Sequence, residues 1–199
     1  MAVKNLLVDI GNSSVSWEFD GNYDSVYIEN FSAEKLPKHQ LSTISCVANY
    51  DLIEQFTNPT IIKPKAFAGV IFDYNLEQFG VDRFLGLMAG ADIHPQQDFM
   101  LVDIGTFVTI DLVQNGKHID GGIAPGLALL QASKNFKGAD SKKSWKMGTQ
   151  NMLRDYIIGR WNGFKGAILL TGGDKELVQI KQGEYYQNLV IEGLKIINE

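Results

Sequence analysis

The sequence predicts an α/β fold made of two similar lobes, each with a mixed sheet flanked by helices. The first observation is a repeat, because the string Leu-Val-Asp-Ile-Gly occurs at residues 7–11 and again at residues 101–105. In both copies an apolar strand ends at an Asp, turns at a Gly and resumes with alternating polarity, which predicts a tight hairpin. The second observation is that strand-like runs then alternate with helical patterns, which is typical of mixed sheets covered by helices. We therefore expect lobes at residues 1–94 and 95–199.

Composition excludes several classes of protein. The chain has 199 residues, 45% of them hydrophobic, which is enough for a substantial core, and a net charge of −5, which argues against a general nucleic-acid binder. No apolar run reaches about 18 residues, and the chain enters its first strand without a signal-peptide pattern, so we expect a cytoplasmic protein. The single cysteine, Cys46, lies in an apolar run and is expected to be a buried thiol. His39, His94 and His118 lack metal-ligand spacing, and no role is assigned to them.

The first half is expected to begin with antiparallel strands. Residues 15–19 complete the first hairpin, and the turn Asp-Gly-Asn at 20–22 leads into another strand. From residue 81, apolar side chains recur at three- and four-residue spacing, which predicts a helix with one buried face. The weaker patterns between these segments predict, in order, a short helix at 32–35, a strand at 44–48, a short helix at 51–56 and a strand at 60–62.

The second half repeats this plan after its own hairpin. The turn Asn-Gly-Lys at 115–117 leads into a strand, and residues 121–126 predict a glycine-rich loop that opens a helix. Residues 134–146 contain five lysines and few apolar side chains, which predicts an exposed mobile loop. The remaining elements are a helix capped by Thr149, a strand at 166–170 that ends in Thr-Gly-Gly, and a final helix at 188–197 with a strand-like start.

The two Asp-x-Gly hairpins predict a phosphate site that also holds a cation. A glycine turn allows backbone N–H groups to approach an anion, and Asn12, Ser13 and Thr106 add side-chain donors. Asp9 and Asp103 would repel a bare phosphate, so their position makes chemical sense when a cation lies between. The alternative is ordinary turn chemistry, although a repeat that opens both halves favours a metal–nucleotide clamp. Neither a Walker A pattern nor G-x-G-x-x-G occurs in the sequence.

A carboxylate and a guanidinium lie next to each other in the first turn of the helix predicted from residue 81. Asp82 has a simple structural explanation, since acids interact well with a helix N-terminus. Arg83 lacks that explanation, because a cation in the first turn is mildly unfavourable. Beside a phosphate site, the pair could supply a proton acceptor and an anchor for an anionic substrate.

The order of these motifs resembles the type III pantothenate kinases, within the superfamily of acetate kinase, sugar kinases, Hsp70 and actin. The family's D-x-G-N-T is matched by residues 9–13, with Ser13 in place of Thr, and its G-x-D-R is matched by residues 80–83. Its D-x-G-T-x-x-T-x-D is matched by residues 103–111, and its G-G-x-I-x-P-G by residues 121–126, one residue shorter. The Thr-Gly-Gly junction at 171–173 and the closing stretch 188–194 are also similar to the family's last motifs.

The resemblance implies an actin-like (ribonuclease H-like) fold and an activity. The reaction is ATP-dependent phosphorylation of pantothenate to 4'-phosphopantothenate, the first step of coenzyme A biosynthesis, with Mg²⁺ and a monovalent cation, K⁺ or NH₄⁺. It implies Asp82 as the proton acceptor and Asp103 as the monovalent-cation ligand. The implied ATP contacts are Asp9, Ile10, Gly11, Asn12, Ser13, Ser14, Val15, Ser16 and Thr106. The implied pantothenate contacts are Tyr74, Gly80, Val81, Asp82, Arg83 and Thr149.

The resemblance also implies a homodimer whose partner subunit completes the site. The net charge and the lack of a long apolar run predict no nucleic-acid or membrane partner. Two other interpretations stay open at the level of sequence. One is a non-catalytic regulatory or accessory protein on the same fold, which loss of the acid, the arginine or the hairpin glycines would favour. The other is a transferase of the same superfamily with a different acceptor, which the G-x-D-R motif at residues 80–83 disfavours.

Overall fold

The computed structural model describes residues 4–198, which form two compact units. In its described part, the first unit comprises residues 4–67, 72–89 and 189–198, and the second comprises residues 68–71 and 90–188. The expected lobes at 1–94 and 95–199 differ from this division chiefly at the C-terminus. The last helix belongs to the first unit, where it packs on that unit's strands, instead of to the second. Residues 1–3 and 199 of the expected lobes lie outside the described residues.

The first unit contains a five-stranded mixed sheet. Its strands are β1 (Asn5–Ile10), β2 (Ser14–Phe19), β3 (Asn22–Tyr27), β4 (Leu41–Cys46) and β5 (Pro59–Ile61). They lie in the order β3-β2-β1-β4-β5, with β1 to β3 antiparallel to one another and β4 and β5 parallel to β1. Short 3₁₀ helices occur at Ile28–Asn30, Ala33–Lys35, Tyr50–Gln55 and Leu76–Gln78.

Two helices accompany this sheet. Helix α1 (Val81–Ile93) begins in the first unit, and its predicted buried face is confirmed, since Phe84 and Leu85 are fully buried. The C-terminal helix (Leu189–Asn198) packs against β1 and β4, but the strand-like start expected before it is absent from the described residues. Cys46 is buried as expected, and that burial raises the pKa of its thiol.

The second unit has the same sheet plan. Its strands are β6 (Phe99–Ile104), β7 (Phe107–Gln114), β8 (Lys117–Pro125), β9 (Ala167–Thr171) and β10 (Gly183–Tyr185). They lie in the order β10-β9-β6-β7-β8, with β6 to β8 antiparallel and β9 and β10 parallel to β6. Strand order and direction therefore match those of the first unit. The predicted duplicated α/β fold, of the actin-like (ribonuclease H-like) kind, is confirmed.

The helices of the second unit are α2 (Leu127–Ala132), α3 (Ala139–Trp161) and α4 (Lys175–Val178), so the C-terminal helix is α5. The expected glycine-rich loop at 121–126 is wrong for its first residues. Gly121 and Gly122 lie inside β8, where they pair with Asp111 and Ile110 of β7. Cross-strand pairing satisfies their backbone groups, which overrides the weak strand propensity of glycine. A helix does follow at Leu127, as expected.

Two expectations about α3 are wrong. The helix begins at Ala139, within the stretch expected to be a mobile loop, and Thr149 lies in its interior instead of capping it. The local lysine-rich pattern misses the contacts of Trp145, whose ring lies 5.8 Å from that of Phe136 and whose indole N–H donates to the Gln131 carbonyl oxygen at 3.2 Å. These contacts tie the early turns of α3 to neighbouring chain. Among the described residues, no helix is long and apolar enough to cross a membrane.

Candidate functional site

The first Asp-x-Gly hairpin forms a tight turn between β1 and β2. The Gly11 N–H donates to the Ser14 carbonyl oxygen at 2.9 Å, and the Asn49 side-chain amide donates to the Gly11 carbonyl oxygen at 2.8 Å. Asn12 and Ser13 are exposed at the tip, whereas Asp9 is half-buried at the end of β1. The Asn49 hydrogen bond thus stabilises the turn backbone, and the polar residues at the tip of the turn are exposed to solvent.

The implied ATP residues beyond this turn have different surroundings. Ile10 and Val15 are fully buried in the core of the first unit. Ser16 is 5% exposed, and its hydroxyl lies 2.9 Å from the Ser25 hydroxyl on β3. Side-chain contacts to a bound nucleotide are therefore better suited to residues 11–14 than to these three side chains.

The second hairpin forms a similar but shorter turn between β6 and β7. The Gly105 N–H donates to the Phe107 carbonyl oxygen at 3.0 Å, and the Gly126 N–H donates to the Thr106 carbonyl oxygen at 2.9 Å. The hydrogen bond from Gly126 brings the Pro-Gly junction before α2 against the turn. Thr106 is half-buried there, beside the strand end that carries Asp103.

Asp103 lies where two parallel strands end together. It pairs in register with Thr171, the last residue of β9, and the chain after β9 returns to the end of β6, where the Asp174 N–H donates to the Ile104 carbonyl oxygen at 2.9 Å. Lys175 Nζ donates to the Gly172 carbonyl oxygen at 3.1 Å. Burial raises the pKa of the Asp174 carboxyl group.

The sequence motifs did not indicate a site residue in the Thr-Gly-Gly junction. The available signal was topological, because the carboxyl ends of neighbouring parallel strands meet at one edge of a sheet. Asp174 and Lys175 are consequently additional candidate site residues at this edge of the sheet, beside Asp103.

Asp82 lies in the first turn of α1 with its carboxylate folded back over the helix start. Its Oδ1 accepts a hydrogen bond from the Arg83 N–H at 2.8 Å. A Cβ at Gly80 would stand only 2.6 Å from that oxygen, so the motif's glycine makes room for the carboxylate. This geometry agrees with the helix-start role considered from the sequence and leaves the carboxylate half-buried.

Aromatic rings connect the predicted pantothenate residues of the first unit. The Arg83 guanidinium lies 4.5 Å from the centroid of the Phe79 ring, and the Phe79 and Tyr74 rings are 5.9 Å apart. The structure thereby brings Tyr74 together with residues 80–83. Thr149 lies in the second unit, where its hydroxyl donates to the main-chain oxygens of its own helix and accepts from the Gln131 side-chain amide at 3.2 Å.

A buried hydrogen-bonded pair in the second unit was not predicted from the sequence. His118 Nε2 lies 2.8 Å from Asp111 Oδ1, and both side chains are almost fully buried. The pair joins β7 to β8 next to the close pairing of Asp111 with Gly121. Within residues 4–198, no group of three or more His, Cys, Asp and Glu side chains could hold a metal ion.

The duplicated sheet, with an Asp-x-Gly turn after the first strand of each unit, indicates a protein of the actin-like class. A family model for type III pantothenate kinase matches residues 25–139, more than half of the chain. The chain therefore belongs to the type III pantothenate kinase family, as the motifs predicted.

Two relatives illustrate the extent of the likeness. The type III pantothenate kinase of Cellvibrio japonicus is 34% identical over 146 residues, which cover 60% of this chain and 58% of that protein, less than two thirds of its length. The type III pantothenate kinase of Pseudomonas paraeruginosa is 26% identical over an alignment of 243 positions, covering 96% of this chain and 97% of that protein. These matches support pantothenate phosphorylation in coenzyme A biosynthesis as the activity.

A solved structure shows the same fold. It is a conserved Baf family protein from Campylobacter jejuni, proposed to be a transcriptional activator, and it superposes with a TM-score of 0.68 at 23% identity. The superposition covers 96% of each chain. At this identity the likeness concerns the fold alone.

Proposed function

We propose that this chain is an active pantothenate kinase that transfers the γ-phosphoryl group of ATP to the primary hydroxyl of pantothenate, giving 4'-phosphopantothenate. The observation that carries the proposal is the pair Asp82–Arg83 at the start of α1, with the Arg83 guanidinium held against Phe79. Pantothenate offers one reacting hydroxyl and one carboxylate. An adjacent carboxylate and guanidinium match these two groups.

In this mechanism Asp82 acts on the reacting hydroxyl. Its carboxylate orients the hydroxyl and accepts its proton as the new O–P bond forms and the bond to the departing ADP breaks. Arg83 holds the pantothenate carboxylate, and the further proposed substrate contacts are Tyr74, Gly80, Val81 and Thr149. Such positioning and charge stabilisation supply most of the catalysis in phosphoryl transfer.

The two hairpin turns are the proposed nucleotide contacts. Residues 11–14 form a tight turn that the Asn49 side chain stabilises by a hydrogen bond. The Asn12 amide and the Ser13 hydroxyl are exposed at its tip. Backbone N–H groups in such turns suit phosphate oxygens. Thr106, in the equivalent turn of the second unit, is the further proposed ATP contact.

The proposed cations are Mg²⁺ and a monovalent ion, K⁺ or NH₄⁺. Carboxylate oxygens at the strand ends are hard donors, which fit Mg²⁺ and K⁺ better than a softer transition metal. Kinase Mg²⁺ is usually held by one or two carboxylates together with substrate phosphates and waters, and Asp9 would supply a carboxylate here. Asp103 would hold the monovalent ion. When bound, these ions offset the negative charge of the phosphates.

The proposed assembly is a cytoplasmic homodimer whose partner subunit completes the site, without nucleic-acid or membrane partners. Three apolar side chains of α3 are exposed, and this exposure supports a second copy of the chain as the partner. Met147, Met152 and Ile158 are 53%, 51% and 39% exposed.

The decisive experiment is a coupled ADP-release assay with ATP, Mg²⁺, K⁺ and a panel of hydroxyl acceptors. Turnover with pantothenate alone, with 4'-phosphopantothenate as the product, is the expected result, and the Asp82→Asn protein serves as the blank. Turnover with another acceptor would favour a different transferase of the superfamily. Folded protein that binds ATP but phosphorylates nothing would favour the regulatory alternative.

A further inference from the structure

Five aromatic side chains form a connected cluster around the start of α1. Neighbouring ring centroids lie 5.5 to 6.2 Å apart, and the members are Phe67, Phe72, Tyr74, Phe79 and Phe84. The Phe79 ring contacts two members of the cluster, with its centroid 5.7 Å from that of Phe72 and 5.9 Å from that of Tyr74. It is only 9% exposed, so its ring is held by packing.

Backbone contacts also restrain Phe79. It follows the 3₁₀ helix Leu76–Gln78, and its N–H donates to the Leu76 carbonyl oxygen at 3.0 Å. That helix is capped by Asn75, whose side chain accepts from the Glu77 N–H at 2.9 Å. The ring is therefore restrained both by its neighbours and by the turn from which it projects.

The Arg83 guanidinium lies over this restrained ring, 4.5 Å from the centroid to Cζ, well within the usual range of a cation–π contact. The positive end of the helix dipole opposes a cation in the first turn of α1, and the electron-rich ring face offsets that penalty. A guanidinium that lies over a ring also keeps N–H donors at its edge for a planar acceptor.

We propose that Phe79 is a positioning residue for the substrate: its ring holds the Arg83 guanidinium ready to receive the pantothenate carboxylate. This inference rests on the proposed function of Arg83. Because the ring orders the guanidinium before the substrate arrives, less ordering entropy is lost on binding. Phe79 acts through Arg83 and need not touch the reacting atoms, so its removal should affect substrate binding more than turnover.

The test compares variants that keep or remove the ring. Phe79→Leu, with Phe79→Met as a second ring-free variant, should raise the KM for pantothenate about 3- to 30-fold with kcat and the KM for ATP nearly unchanged, the range expected for a partly desolvated cation–π contact. Phe79→Trp should retain a low KM. The matched control is Phe67→Leu, which removes a ring of the same cluster that contacts Phe72 and Phe84. An equal KM increase in the control or in Phe79→Trp would overturn the proposal.

A second substrate isolates the carboxylate. In pantothenyl alcohol a CH₂OH group replaces the carboxylate, so Arg83 has no anion to hold. The ratio of kcat/KM for pantothenate to that for the alcohol should fall in Phe79→Leu by the same factor as the KM rises. An unchanged ratio would mean that the ring supports the local fold instead of the guanidinium.

An NMR measurement separates this proposal from the proposed function. The Nε–H resonance of Arg83 should be shifted upfield by the Phe79 ring current in the wild-type protein, and Phe79→Leu should abolish that shift. Absence of the shift in the wild type would overturn the positioning role whatever the enzyme phosphorylates. A ring-current shift in a protein that does not phosphorylate pantothenate would confirm the guanidinium–ring contact. It would nevertheless overturn the proposed function of the site, and with it the proposed role of Phe79 in substrate binding.

Discussion

Gly172 lies directly against the carboxylate of Asp103, where β6 and β9 end side by side. Gly172 has a φ of +93°, and a Cβ at this position would overlap both Asp103 Oδ1 and the Ile104 carbonyl oxygen. A side chain at residue 172 would thus have to displace the proposed cation ligand. The Thr-Gly-Gly junction therefore packs directly against the end of β6 that leads into the second Asp-x-Gly hairpin.

Gly172→Ala should therefore destabilise the protein and weaken ATP binding together. The left-handed φ and the overlap should lower the free energy of unfolding by roughly 1 to 3 kcal/mol. Urea denaturation and titration with ATP would measure the two effects. Gly173→Ala is the matched control, because a Cβ at Gly173 has no neighbour within 4 Å and its φ is not in the left-handed region. Similar losses in both variants would contradict the packing argument.

Asp103→Asn should reduce the dependence of activity on K⁺ or NH₄⁺ and weaken ATP binding at the same time. The substitution removes the charge that would hold the monovalent ion while keeping the side-chain shape. Initial rates measured across K⁺, NH₄⁺ and Na⁺ series would test this, with Asp140→Asn, an exposed acid in the same unit, as the charge control. If Na⁺ supports equal rates in the wild type and the variant, Asp103 has another role.

Asp82→Asn should leave folding and ATP binding intact while turnover falls by roughly 10²- to 10⁴-fold, the usual contribution of a general base. The amide keeps the shape of the side chain and its acceptor oxygen at the helix start, so stability should change little. Steady-state kinetics on protein shown to be folded by circular dichroism provide the measurement. Asp92→Asn, at an exposed position of the same helix, should retain normal turnover. Near-normal turnover of Asp82→Asn would leave only the helix-dipole explanation.

Arg83→Ala should act mainly on the KM for pantothenate, because it removes a ground-state contact to an anion. The KM for ATP should stay close to the wild-type value. Arg154→Ala provides a control on another helix, since the Arg154 guanidinium bonds to the Asn151 side chain of α3. A large fall in kcat with an unchanged KM would assign Arg83 to the transition state instead.

The protein should sediment as a dimer at micromolar concentration. Met152→Glu places a charge at an exposed apolar position of α3 and should weaken association and activity together if that surface is the interface. Analytical ultracentrifugation gives the mass, and the coupled assay gives the activity of the same samples. A fully active monomeric wild type would refute the dimer.

The sequence alone determined the parts of this protein that depend on neighbouring residues. The repeated Leu-Val-Asp-Ile-Gly strings place both hairpins, and the three- and four-residue spacing places the buried face of α1. The motif order also identified the family, which the family model confirms. The roles of Asp82, Asp103 and the other proposed contacts stay predictions.

Tertiary structure decided the features that depend on distant partners. Gly121 is in a strand because Asp111 pairs with it. Helix α3 begins as early as Ala139, where Trp145 donates a hydrogen bond to Gln131 and its ring packs near that of Phe136. The same holds for the packing of α5 in the first unit and for the His118–Asp111 pair between β7 and β8. Periodicity and capping report the preferences of a local segment. Strand pairing, burial and ring contacts join residues of different segments, and their free energy outweighs weak local propensity.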